Sequence, residues 1–168
     1  SAARGLFPIG AGISDRMGER TNDWPLLIAV GEITRYVGDV VAMEVNFLRA
    51  PYVLVERQPG WSEIEYQFRN WYHFSWLSGD DVTQSLVHNL DRASWALKEQ
   101  LPTWAFGLAG RSASFGEQFG DMFDHHTAIY EYASGARVYA LCRTQAGCYS
   151  NASDIVMGTK GKCYLGDC

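Results

Sequence analysis

His88, Asn89 and Asp91 stand together in Gly79–Leu97, a stretch whose apolar residues recur at helical spacing. Histidine changes charge near neutral pH, so His88 can take a hydroxyl proton while hydride leaves the same carbon. Asp91, about one turn on, can orient the imidazole or bind a substrate hydroxyl. At ~100° per residue, Val82, Leu86, Leu90, Ala93 and Leu97 fall in one narrow arc that must lie on a core. Gln84, His88, Asp91 and Trp95 fall on the opposite side. A plain solvated face would carry Lys and Glu, so this one points to a second, partly covered surface. Plainer roles compete: His88 and Asp91 can hydrogen-bond across a domain contact, and Asp81-Val82-Thr83-Gln84 resembles a capping box. Capping is the expected role of Asp81 and Gln84.

A second group lies upstream, in Arg57-Gln58-Pro59-Gly60-Trp61-Ser62-Glu63 and Arg69-Asn70-Trp71-Tyr72-His73-Phe74. Carbohydrate-like ligands need flat apolar faces for their C–H surfaces and planar polar groups for their hydroxyls. Trp61, Arg69, Asn70 and Trp71 supply both and are the expected substrate-binding residues, together with Asn89 and Asp91. The other aromatics are expected to pin the segment to the sheet. In Asp124-His125-His126, neighbours on a strand point to opposite faces, so both histidines cannot serve one metal. One of them lines the strand mouth, with His125 the choice, and no metal site is expected. The four cysteines make no CxxC knuckles, and Cys142 alternates with apolar neighbours as a buried thiol would.

These groups need a scaffold. Leu26–Val37 has helical spacing, Val40–Leu48 alternates as a strand, and Arg49–Gly79 shows no clean period and reads as a long ordered loop with short helical turns. The helix runs from Val82 to about Lys98, and Pro102 closes it. Trp104–Gly110 is a strand, Gly116–Asp121 a loop, and Thr127–Tyr132 with Arg137–Arg143 a hairpin. Ile155–Met157 with Lys162–Leu165 makes a second hairpin. The layout is α+β: an open, mostly antiparallel β-sheet with a long helix packed on one face. Residues 1–25 are an irregular lead-in, and residues 26–168 form the domain. Gly10-Ala11-Gly12 is not a dinucleotide fingerprint, because Asp15 stands where the third glycine belongs and no helix core follows.

The 168 residues fit one domain; 47% are hydrophobic and 20% charged, as in a globular chain. A net charge of -5 with scattered basic residues excludes a phosphate-binding surface of the nucleic-acid type. No run approaches the roughly 18 apolar residues of a membrane span. Ser1-Ala2-Ala3-Arg4 begins no signal-length apolar region, so a cytoplasmic location is expected, or a periplasmic one if the full gene carries an export signal.

The order and spacing of several runs resemble the C-terminal domain of the Gfo/Idh/MocA (glucose–fructose oxidoreductase-like) family. They are Val37-Gly38-Asp39-Val40-Val41-Ala42, Arg57–Trp61, Arg69-Asn70-Trp71, Leu77-Ser78-Gly79-Asp80 and Val87-His88-Asn89-Leu90-Asp91 with Trp95-Ala96-Leu97. Tyr130-Glu131-Tyr132, Cys142-Arg143 and Gly158-Thr159-Lys160-Gly161 complete the set, from about Val37 to Gly161. The resemblance implies a dihydrodipicolinate reductase/glyceraldehyde-phosphate dehydrogenase C-terminal-domain-like fold. It also implies an oxidoreductase dependent on NAD or NADP that acts on a sugar, inositol or related polyol. His88 matches the histidine beside the nicotinamide and is the expected catalytic residue. The cofactor would be bound mainly by an N-terminal Rossmann domain that this chain lacks, so the fragment alone is expected to be inactive. A homodimer or higher oligomer through the sheet is implied as well. The family carries a carboxylate four residues before the histidine; here Gln84 stands there and cannot act as a base. The competing readings are a stand-alone carbohydrate-binding or dimerisation module, and a metal-dependent hydrolase using His73, His88, His125 or His126.

Overall fold

The computed structural model describes residues 33–165. The lead-in over 1–25 and most of the first expected helix lie outside them; residues 33–37 are helical, and Ile33 and Val37 are buried. The strands are β1 (Val40–Arg49), β2 (Trp104–Gly110), β3 (His125–Glu131), β4 (Arg137–Thr144), β5 (Asn151–Gly158) and β6 (Lys162–Leu165). They form one sheet in the order β2-β3-β4-β1-β5-β6. Only β1 and β4 pair in parallel, and every other neighbouring pair is antiparallel. A parallel neighbour needs a long crossover, and the helical segment with the β2–β3 hairpin supplies it. The expected α+β sheet with one long helix on a face is what forms.

Between β1 and β2 lie α1 (Glu63–Arg69), a 3₁₀ turn at Trp71–His73, the single-turn α2 (Ser75–Ser78), a π turn at Val82–Leu86 and α3 (Val87–Ala96). The loop expected over Arg49–Gly79 therefore holds a seven-residue helix. Ser62 starts it by accepting from the Glu65 N–H at 3.2 Å. The Asp81–Gln84 capping box does not form. Asp81 itself has helical backbone, at φ -66° and ψ -29°, where a cap residue would be extended, and its side chain makes no cap bond. Gln84 instead donates to the Tyr72 carbonyl at 3.4 Å.

The helix packs on the face carrying Met43, Val45, Val138, Ala140, Cys142 and Val156, all fully buried against Leu86, Ala93 and Ala96. Each buried Val-, Leu- or Met-sized side chain contributes about 1.5–3 kcal/mol relative to exposure. The other face has no helix among the described residues. Register places Phe106, Ile129, Tyr139, Glu44, Ile155 and Tyr164 in one row across it. Trp104, Phe106 and Leu108 remain 53%, 48% and 66% exposed there. No helix among the described residues is long and apolar enough to cross a membrane.

Candidate functional site

The helix separates the residues that looked alike in sequence. Asn89 is buried; its amide donates to the Asn46 carbonyl at 3.2 Å and to Asp154 Oδ1 at 2.6 Å. Arg92 Nε reaches Asp154 Oδ2 at 2.5 Å from the same face. Asn89 thus belongs to the helix–sheet contact, which corrects its expected place beside a ligand. It lies within about 60° of the centre of the apolar arc at ~100° per residue. A polar residue that close to the arc is carried into the core and must find partners there.

His88 and Asp91 are exposed, and neither makes a hydrogen bond or ion pair among the described residues. Gln84 lies four residues before His88, and its amide ties the start of the helix to Tyr72. Tyr72 stacks on Tyr52 at 4.5 Å with an interplanar angle of 1°, and Trp71 stacks on Tyr72 at 3.9 Å. The Arg49 guanidinium caps the far end of this column, 3.9 Å from the Tyr52 ring. Burial pushes the Tyr52 phenol up to about 12, helped by the Asp81 charge, so it is a hydroxyl donor at neutral pH. Trp71, 40% exposed, is the open end of the stack.

The other expected ligand residues divide. Arg69 lies 4.5 Å over the Trp61 ring and pairs with Glu65 at 3.0 Å, leaving both groups at a half-open surface. Asn70 is buried and fully used within the chain. Its carbonyl accepts from the Val55 N–H at 3.1 Å, and its amide donates to the Gln118 carbonyl at 2.8 Å and to the Tyr66 hydroxyl at 3.4 Å. It therefore ties the Val55 loop, α1 and the 3₁₀ turn at Gln118 together and presents no hydrogen-bonding group outward. The Arg57 run is pinned likewise, to Glu63 and Glu117 at 2.5 and 2.6 Å.

The two histidines of Asp124-His125-His126 do point to opposite faces. His125 Nδ1 pairs with Asp124 Oδ1 at 2.7 Å on the face away from the helix, so it is not brought near His88. His126 faces the helix and lies beside a buried polar cluster. There Asp81 Oδ2 accepts from the Cys142 thiol at 3.1 Å, and His126 Nε2 lies 3.5 Å from Asp80 Oδ2. The Tyr52 and Ser85 hydroxyls share a hydrogen bond at the same level of the helix. Burial pushes both the Asp81 carboxyl and the Cys142 thiol up. Burial also opposes ionisation of Asp80, but its contacts with His126 and the Asp81 amide outweigh that and hold it low. One trace of this cluster is legible in the sequence, the strand alternation of Cys142; its meeting with Asp81 depends on where the helix lands.

No protein-family model and no curated protein matches the sequence. Solved structures do match. Over 94% of this chain, the myo-inositol 2-dehydrogenase of Lactobacillus plantarum superposes with a TM-score of 0.61 at 18% identity, using 41% of its own length. An inositol dehydrogenase homolog from Azotobacter vinelandii, complexed with NAD+, gives a TM-score of 0.59 at 17% identity over 84% of this chain and 35% of that one. GenD2 of gentamicin A biosynthesis, in complex with NAD, gives 0.57 at 18% identity, over 84% and 36%. At these identities the likeness is one of fold, shared with part of each of these proteins. The chain thus spans 35–41% of the length of these proteins. The shared fold agrees with the resemblance read from the runs between Val37 and Gly161.

Proposed function

We propose that this chain is the substrate-binding and dimerisation part of an NAD(P)-dependent oxidoreductase acting on a sugar, inositol or related polyol. One observation carries the reading: an outward-facing, unpartnered His88 one helical turn after Gln84, whose amide ties the helix to an aromatic column, on a fold shared with inositol dehydrogenases. The column offers the flat apolar faces that suit the C–H surface of a ring polyol. His88 supplies a base for the hydroxyl proton, and Asp91 a carboxylate for a neighbouring hydroxyl.

A dinucleotide needs a strand, a glycine turn and a helix N-terminus to cradle its pyrophosphate, and no such cradle exists among the described residues. The described residues do not fit the cofactor's phosphates, so its binding falls to another domain of the full-length protein. When bound, an NAD-type cofactor supplies the hydride acceptor. Gln84 leaves His88 without a carboxylate one turn before it. An imidazole base with no carboxylate relay is what this face provides.

The apolar sheet face supports the dimerisation role, since a Trp, Phe and Leu row exposed on one strand calls for a covering surface. The same open sheet is the basis for assigning the domain to the dihydrodipicolinate reductase/glyceraldehyde-phosphate dehydrogenase C-terminal type. The location we propose is cytoplasmic.

The test is made on the full-length gene product, by following NAD(P)H formation with inositols and aldoses. Turnover is expected there, and His88→Gln should lower kcat by about 10²- to 10⁴-fold with the fold intact. Titration calorimetry of NAD(H) into the present chain alone should show no tight binding. Tight binding would sink the divided-enzyme reading.

A further inference from the structure

We propose that Asp81, His126 and Cys142 form a binding site for a divalent metal ion of the zinc type. One ligand atom from each residue lies within 4.8 Å of the other two. Donors around a tetrahedral zinc ion stand about 3.5 Å apart, so shifts of about an ångström close the set. His126 and Cys142 are held opposite each other in the β3–β4 register, and Asp81 comes down on them from the first turn of the helical segment.

Two buried polar atoms of these same residues lack hydrogen-bond partners. Asp81 is 0% exposed, yet its Oδ1 has no hydrogen-bond partner. His126 Nδ1 is also buried and unpartnered. Buried polar atoms are nearly always satisfied, and two orphans beside a thiol mark a place where a ligand belongs. Asp80 Oδ2 lies 3.5 Å from His126 Nε2, so Nδ1 is the nitrogen without a partner. A carboxylate on the far nitrogen is the arrangement that orients a metal-bound imidazole.

The donor set decides the class of ion. Thiolate, imidazole and carboxylate together favour zinc, or cobalt in its place, over the hard ions magnesium and calcium. Charge agrees: one thiolate and one carboxylate neutralise a dication, so the filled site carries no net charge into the core. Binding breaks the Cys142 S–H bond, forms the metal–sulfur bond and releases the proton to solvent. Three protein donors leave a fourth position for water. The site does not depend on the oxidoreductase reading.

The full chain, reduced and stripped with a chelator, is titrated with Co²⁺ and followed by the thiolate-to-cobalt charge-transfer band. The band should saturate at one ion per chain and vanish on adding Zn²⁺. Cys142→Ser should abolish it, while Cys148→Ser, at an exposed thiol outside the cluster, should leave it unchanged. Asp80→Asn keeps a side chain suited to the observed φ of 66° and should weaken Co²⁺ binding about 10- to 100-fold. No band in the wild type, or a band that survives Cys142→Ser, overturns the site. If Cys142→Ser fails to fold by circular dichroism, His126→Gln and Asp81→Asn decide. Wild-type Co²⁺ affinity in either folded variant overturns the proposal, and loss in both supports it.

Discussion

Asn89 donates its side-chain amide to Asp154 Oδ1 at 2.6 Å, and this bond fixes which side of the helix looks outward. Asp154 is fully buried beneath the helix, where Arg92 meets its second oxygen. With Asn89 and Arg92 directed to β5, the neighbours His88 and Asp91 are left facing out. A structural contact on one face thereby presents the candidate chemistry on the other.

Arg92→Ala takes the ion pair from a carboxylate that cannot reach water. Removing one partner of a buried pair costs about 3–5 kcal/mol. Arg92 is itself partly exposed, so the lower end of that range is expected, read from urea unfolding midpoints at constant slope. An unchanged midpoint would show that Asp154 is not ionised in the folded state.

Gly120 holds the loop that covers His73. Its φ is +54°, and an added Cβ would lie 1.9 Å from the His73 carbonyl oxygen, a backbone atom that cannot step aside. Gly120→Ala should destabilise by about 3 kcal/mol or more. Gly135→Ala has a similar positive φ but open space around it, so only the left-handed backbone cost of about 1–2 kcal/mol applies. Thermal unfolding of the two variants should separate strain from collision.

Acid should unfold the protein through Asp124. Burial alone would raise its carboxyl, but the N–H groups of Ala113 and Ser114, with His125 and Gln145, hold it well below the usual carboxylate range. A depressed folded value gives stability that is present above the ordinary carboxylate range and lost as pH falls through the folded value. Asp124→Asn should therefore be less stable near pH 7 and lose less between about pH 5 and about pH 3. Equal losses in variant and wild type would remove Asp124 from the account.

The proposed dimer is read from mass. Phe106→Arg with Leu108→Glu places charge on the open face without touching the helix-side core. Sedimentation should show the wild-type dimer fall to monomer, with circular dichroism unchanged. A monomeric wild type would leave the exposed row without this partner.

By itself the sequence determined the six strands, their hairpins, the helix after Gly79 and the outward place of His88 and Asp91. All of these follow from periodicity within one element, which needs no knowledge of distant residues. The capping box does not form because Asp81 already has helical backbone, a boundary that propensity does not resolve. Polarity does not mean exposure at Asn89, whose partner Asp154 lies sixty-five positions further on. Only the tertiary structure decided that β1 and β4 pair in parallel, that Asn70 ties loops together, and that His126 rather than His125 joins Asp81 and Cys142. Those relationships join residues far apart in the chain, and nothing local distinguishes a histidine aimed at a buried carboxylate from its neighbour aimed away.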